Sequence, residues 1–249
     1  MVGKMSQLQH LRLIIETAPC SGAWNMAVDE VLLETAISAN VATLRWYQWE
    51  EATVSLGYFQ KSADLSNDPV LSRLPVVRRL SGGGAIIHDD ELTYSLALPA
   101  SQRLFLKPPE LYDIVHQSLV EGLQELGAAV SFRGQTVKKA EEPLLCFQRQ
   151  DEHDLVLAGC KILGSAQRRR RGAILQHGSL IQRSSSVAKQ ISGFADLCML
   201  KIPKDFAQSL GGRLAKTLSE SWDVGELSDQ EREIAQQLTE QNDSHVQIR

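Results

Sequence analysis

Apolar residues along the chain cluster in short runs or recur at helical spacing, and the two patterns separate strands from helices. LRLIIET (11–17) is short, apolar and β-branched, and predicts a strand. Ser21 then stands as an N-cap before a stretch in which Val28, Val31, Leu32 and Thr35 share one face, which predicts a helix from about Gly22 to Ser38. ATLRWYQW (42–49) and ATVSLGYF (52–59) are rich in aromatic and branched residues and predict two strands, with Glu50-Glu51 turning between them. PVVRRL (75–80), AIIHDD (85–90) and LTYSLALP (92–99) predict three more extended pieces. After Pro108-Pro109, the residues Leu111, Ile114, Val115, Leu119, Leu123 and Leu126 fall on one side of a second helix, over 110–126, and Gly127 stops it.

RGQTVKKAEEP (133–143) is polar and aperiodic and predicts a mobile loop. HDLVLAG, KILGSAQ and GAILQHGSLI then follow as consecutive strands. Ala158-Gly159 turns the first pair, and the run Arg168–Arg171 turns the second. Two amphipathic helices, near 203–211 and 228–240, precede a polar tail. Helices occur singly and hairpins dominate the middle, with no βαβ alternation. This is an α+β pattern: a mixed, largely antiparallel β-sheet flanked by helices, not a dinucleotide-binding doubly wound sheet. The 249 residues are enough for one substantial core. We expect a single catalytic domain over 1–249, with its core at about 11–215 and a C-terminal helix and tail at about 225–249.

Composition narrows the class. No apolar run is long enough to span a membrane, and the N-terminus lacks the pattern of a secretory signal, so a cytoplasmic protein is expected. The net charge of −4 gives no support for nucleic-acid binding. Cys20, Cys146, Cys160 and Cys198 are scattered, without a CxxC pair, which argues against a disulfide framework or a structural metal site.

Two segments carry candidate chemistry. In VVRRLSGGGAIIHDD (76–90), three consecutive glycines, Gly82, Gly83 and Gly84, let main-chain N–H groups approach an anion or a carbonyl oxygen. Arg78 and Arg79 before them, followed by Ser81, would add charge-assisted bonds to a carboxylate, acyl carbonyl or phosphate, and His88 after them is either a further ligand contact or a satisfied structural histidine. No Gly-Lys-Ser/Thr follows, so this is not a Walker loop. In AGCKILGSAQ (158–167), Lys161 opens an otherwise apolar strand: it is either a surface lysine at the turn or, facing the sheet core, a group that needs a partner, which a bound carbonyl or phosphate would supply. Gly164, Ser165 and Ala166 are small and leave room for a ligand beside it. His177, in ILQHGSLI, reads more simply as a hydrogen-bonded strand histidine. Arg168–Arg171 is either a solvated turn or a docking patch for an acidic protein.

Taken in order, GAWNMAVDEVLLE, RRLSGGGAIIHD and GCKILGSAQRRRRGAILQHGSL resemble the lipoate–protein ligase and octanoyltransferase family. The likeness runs from residue 11 to about 190. It implies a biotin/lipoate protein ligase-like fold, a medium-chain acyl substrate held along the glycine loop, and Lys161 at the acyl carbonyl. It also implies an acceptor lysine on a lipoyl domain or a glycine-cleavage H protein. SGGGA is spelled as in the ligase branch. HDDELTYS, the LLCF around Cys146, and a C-terminal part without the additional domain of many ligases resemble the cysteine-dependent octanoyl–H-protein transferase branch.

On that branch the resemblance makes Cys146 the nucleophile, with octanoyl–acyl carrier protein as the donor and no required cofactor. The alternative is ATP-dependent lipoate–protein ligation through lipoyl-adenylate, with ATP and Mg as cofactors and with Arg78, Arg79 and Lys161 on the phosphate. Cys160 adjoins Lys161, and neighbours on a strand point to opposite faces, so Cys160 is expected to face away from a ligand that Lys161 meets. The acyl carrier proteins and lipoyl domains implied as partners are typically acidic, which suits docking at Arg168–Arg171.

Overall fold

The structure, a computed structural model, describes residues 7–61, 65, 68–101, 108–135 and 150–246. Cys146 and all but the first three residues of the loop expected at 133–143 lie outside the described residues.

The chain opens with β1 (Leu8–Ile15) and α1 (Gly22–Ser38), and Ser21 caps α1 by accepting from the Trp24 N–H. It continues through β2 (Thr43–Tyr47), β3 (Thr53–Leu56), β4 (Val76–Arg78), β5 (Ile86–His88) and β6 (Glu91–Leu98) to α2 (Pro108–Glu125). After β7 (Ser131–Phe132) and β8 (Leu155–Leu157) come the two long strands β9 (Cys160–Arg170) and β10 (Ala173–Ile181). The C-terminal part holds α3 (Phe194–Cys198), α4 (Phe206–Leu218), β11 (Ser219–Gly225) and α5 (Asp229–Val246).

Eight strands form one sheet in the order β11-β1-β2-β6-β10-β9-β8-β7, parallel over the first three and antiparallel from β2 onward. A small second sheet, β4-β3-β5, stands beside it. The α+β reading therefore holds, with a mixed, mainly antiparallel main sheet. One face of that sheet packs Leu13, Leu44, Trp46 and Leu96 against Leu111, Leu119, Leu210 and Leu214 of α2 and α4. The other packs Ile14, Ala97 and Leu175 against Val28, Val31 and Leu32 of α1. Leu227 and Ala235 at and within α5 complete this second cluster, so α1 is buried from two sides and is apolar almost all round.

Two features depart from expectation. The strand β11, SESWDVG, is exposed along most of its length and pairs in parallel with β1. Its apolar residues Trp222 and Val224 alternate with polar ones but both are exposed, so they mark no core face, and the pairing with β1 reveals the strand. The arginine run is strand, not turn: β9 continues through Arg170, and Arg171-Gly172 makes the turn with φ of 49° and 84°. Ala158-Gly159 turns the preceding hairpin in the same way, with φ of 48° and 79°. Positive φ at both central residues matches the right-handed twist of adjoining strands, which explains why both turns end in glycine. Among the described residues, no helix is long and apolar enough to cross a membrane.

Candidate active site

A cavity of about 370 Å³ opens where the small sheet meets β6, β10 and β9 of the large one. That volume lies within the usual span of small-molecule sites. The glycine loop Gly82–Gly84 forms one wall, the strand segment Lys161–Gln167 another, and Met26, Tyr47 and Trp49 supply apolar and aromatic surface.

Lys161 comes to this cavity already partnered. Its Nζ lies 2.7 Å from Asp154 Oδ1, and both side chains are buried. Burial pushes the Asp154 carboxyl up, and the Lys161 ammonium draws it back without cancelling the effect. The hairpin at Ala158-Gly159 folds Asp154 back toward Lys161, helped by a register irregularity between Leu155 and Val156. Gly164 is required by this geometry. A Cβ there would lie 2.6 Å from Lys161 Cε and 2.8 Å from Nζ.

The glycine loop is braced from within. Buried Arg79 donates to the carbonyls of Gly82 (2.8 Å) and Gly84 (2.6 Å), and to the carbonyl of Ser55 (2.8 Å). Among the described residues, no protein carbonyl accepts from the N–H groups of Gly82, Gly83 or Gly84. Gly57 packs so closely that a Cβ there would meet the Gly83 carbonyl oxygen at 2.2 Å.

His88 lines the cavity but is fully engaged. Its Nε2 bonds Ser55 Oγ at 2.7 Å, its Nδ1 bonds Glu91 Oε1 at 2.7 Å, and its ring stacks on Trp49 at 3.8 Å. Glu91 also accepts from Thr93 and Ser179.

The structure brings most of the expected residues together: Arg79, Gly82, Gly83, Gly84, His88, Lys161, Gly164, Ser165 and Ala166 all line the cavity. Two expected contacts are displaced. Arg78 is outside the lining, and its guanidinium donates instead to the carbonyls of Gly57, Tyr58 and Gln60, because the loop after β3 passes directly over it. Ser81 is fully buried behind the lining and bonds His177 Nε2. Cys160 is half-buried and outside the lining. Cys146 lies outside the described residues.

Several residues at the site were not anticipated. Asp154 is the most direct of these, and Asp29 sits one step behind the wall. A third is His116 on α2, which gives a directed hydrogen-bond chain. The His153 carbonyl can only accept, so His116 Nδ1 donates to it at 2.6 Å. The imidazole is held neutral, with its pKa pulled down to about 4, chiefly by burial. Its Nε2 therefore accepts from Ser165 Oγ at 2.7 Å, and Ser165 accepts from Tyr94 Oη at 2.8 Å. Tyr94 accepts in turn from Gln176 Nε2 at 2.8 Å, and Gln176 from Gln167 Nε2 at 2.7 Å. Every donor is thus assigned from the cavity wall at Gln167 to the turn that carries Asp154. The sequence signal was faint: two histidines and two glutamines spread over four elements.

Unfolded histidine titrates near 6.5 and folded His116 near 4, so on acidification the unfolded chain takes up this proton first. The stabilisation is complete above pH 6.5 and erodes as pH falls toward 4, by about 3 kcal/mol in all. Urea midpoints measured from pH 7.5 to 4.5 should fall more steeply for the wild type than for His116→Gln. A second expectation concerns Gly164→Ala. The group it displaces is the flexible end of Lys161, so thermal stability should hold within a few degrees while turnover drops by roughly tenfold or more, about 1.4 kcal/mol of barrier. Unchanged turnover would show that the Lys161–Asp154 geometry does not matter.

Comparison with known proteins follows the same outline. The family model of the lipoyl protein ligase A/B catalytic domain matches residues 21–230. Octanoyltransferase LipM of Clostridioides difficile (strain 630) is 31% identical over 259 residues, covering 91% of this chain and 94% of that protein. Octanoyltransferase LipM of Brevibacillus brevis is 38% identical over 177 residues, covering 67% of this chain and 64% of that protein. Among solved structures, lipoate-protein ligase A bound with ATP superposes with a TM-score of 0.72 at 20% identity, over 94% of this chain and 95% of that one. Protein Ta0514 of T. acidophilum with bound lipoic acid superposes with a TM-score of 0.71 at 20% identity, again over 94% and 95%. At that identity the structural likeness is one of fold.

Proposed function

Because the chain belongs to the lipoyl protein ligase A/B catalytic-domain family, we propose that it is an octanoyltransferase of lipoate biosynthesis. It takes octanoyl from a thioester on acyl carrier protein, holds it on Cys146, and passes it to a lysine of a lipoyl domain or H protein. The observation that carries this reading is a buried Lys161–Asp154 ion pair facing the same cavity as a glycine loop whose N–H groups meet no carbonyl among the described residues. Gln150 and Asp151 also line that cavity. Cys146 precedes Gln150 by four residues, a span of at most roughly 14 Å, so the thiol can reach the site.

The Cys146 thiolate attacks the thioester carbonyl, the carrier thiolate leaves, and the bond energy of the thioester is kept. Lys161, fixed by Asp154, donates to the carbonyl oxygen as it becomes an oxyanion. Glycine-loop N–H groups add to this, and one such donor contributes about 3 kcal/mol. The neutral amine of the acceptor lysine then attacks the thioester on Cys146. The amide forms, the Cys146 thiolate is released, and the proton lost by the amine passes to solvent, balancing the one that the departed carrier thiolate takes up.

The donor is already activated, so this route uses no ATP. The phosphate contacts that adenylation would ask of Arg78 and Arg79 are disfavoured, since both guanidiniums are engaged by main-chain carbonyls. Incubation with octanoyl–acyl carrier protein alone should give a hydroxylamine-labile adduct that maps to Cys146. Cys146→Ala should abolish it and Cys160→Ala should not. An adduct that survives in Cys146→Ala, or transfer that requires ATP and free acid, would sink the reading.

The arginine run divides by role. Arg170 is paired with Glu30 (3.1 Å) and Glu34 (2.7 Å), and Arg171 lies 3.6 Å from Glu34. Arg168 instead lies over the Tyr58 ring at 4.7 Å, and Tyr58 packs edge-on against Phe59, which is 83% exposed. The Tyr58 N–H donates to the Ser81 carbonyl, so this aromatic pair is tied to the glycine loop. The acidic donor carrier docks on Arg168, Tyr58 and Phe59. Arg168→Glu and Phe59→Ala should each raise KM for the carrier by about tenfold, with the Arg168 effect shrinking at high salt. Equal effects from Arg170→Ala would place the docking surface elsewhere.

A further inference from the structure

His177 stands in the middle of β10, buried, with its ring in the cavity wall. A histidine in such a place invites the role of a base, but neither ring nitrogen is available. Nε2 bonds Ser81 Oγ, and Nδ1 lies 3.3 Å from Asp29 Oδ2. Burial alone raises the Asp29 carboxyl, but the hydrogen bond from His177 and the Arg45 charge outweigh it and hold Asp29 below the usual carboxylate range. Burial draws His177 down, and Asp29 opposes this without reversing it. A carboxylate therefore faces a neutral imidazole. Nδ1 carries the proton and donates to Asp29, and Nε2 accepts from the Ser81 hydroxyl.

We infer that His177 is a positioning residue of the acyl site, holding the glycine loop through Ser81 while Asp29 fixes the ring from behind. Ser81 is the residue immediately before Gly82, and its carbonyl accepts from the Tyr58 N–H at 2.9 Å. Arg79 shapes the loop from inside by drawing in the Gly82 and Gly84 carbonyls. Peptide planarity then turns the Gly83 N–H away from the guanidinium. Bracing alone would leave the whole loop free to shift as a unit against the sheet. The His177–Ser81 bond is what anchors its first residue to β10, the strand that pairs with the lysine-bearing β9. An imidazole suits this because its two nitrogens reach in opposite directions, toward Asp29 and Ser81 at once. Asparagine can reach one partner and glutamine the other.

With the octanoyl-transfer reading, on which its catalytic consequence rests, this sets the distance between the loop N–H groups and Lys161 across the thioester carbonyl. Ser81→Ala and His177→Asn should each slow acyl-enzyme formation about 10- to 100-fold, with KM for octanoyl–acyl carrier protein little changed. The double variant should be no slower than the worse single one, since both substitutions break one link. His177→Gln, which keeps an acceptor near Ser81, should recover part of the rate. Additive losses, or a loss entirely in KM, would overturn the assignment.

Ser81→Ala removes a single buried oxygen, so it carries the test if a His177 variant does not fold. Amide hydrogen exchange at Gly82–Gly84, measured without donor, is the readout independent of chemistry, and it should accelerate in Ser81→Ala. Absence of an octanoyl adduct on the wild-type protein would defeat the transfer reading alone. Loop exchange in Ser81→Ala equal to the wild type would defeat the positioning role, whatever the chemistry.

Discussion

Asp29 is a carboxylate sealed between a helix and a sheet, and the cavity wall is organised around it. It accepts from Arg45 (3.1 Å), Tyr47 (3.1 Å) and His177 (3.3 Å), and no one of these alone offsets the cost of its burial. Arg45 is itself fully buried and holds Glu16 through two bonds, at 3.0 and 2.9 Å. The lattice thus ties β1, α1, β2 and β10 together by charge at a point where apolar packing alone would leave them free to slide. Removing one member of such a set strands its partners, at about 3–5 kcal/mol, so the lattice is stable only when complete. That property makes it a fixed reference for the loop it supports.

The two sheets meet across glycine. Gly57 and Gly83 approach closely enough that any side chain at residue 57 would strike the loop carbonyl, and Gly164 leaves room for the end of Lys161. These small residues serve a spatial purpose rather than flexibility. The arginines beside the loop turn their charge inward onto carbonyls, which makes the loop rigid and leaves its N–H groups as the donors at the cavity. A thioester carbonyl needs donors of that kind and no phosphate clamp. The site is accordingly suited to acyl transfer from an already activated donor.

The Lys161–Asp154 pair adds a buried ion pair to the cavity wall. Each side chain would be costly to bury alone, and each is present because the other is. The neutral His116 chain runs through Ser165 of β9 to the His153 carbonyl beside Asp154, so hydrogen bonds as well as the ion pair hold the turn that carries the lysine's partner. The geometry of the cavity is therefore carried by strands and their turns.

Local pattern in the sequence was enough for the α+β class, the capped first helix, the glycine loop, the lysine-bearing strand and the order of motifs that marks the family. All of these depend on residues within one element or one turn. Tertiary structure alone decided which side chains meet. His177 and Asp29 are 148 residues apart and Ser81 and His177 are 96 apart, so no spacing along the chain announces either bond. The edge strand β11 buries neither of its alternating apolar residues, Trp222 and Val224, and is held by the ladder that β1 offers it. Arg78, Arg79 and the four arginines of 168–171 have the same chemistry in sequence. They differ only in which carbonyl, carboxylate or ring the fold places beside each guanidinium, and that placement is a long-range property.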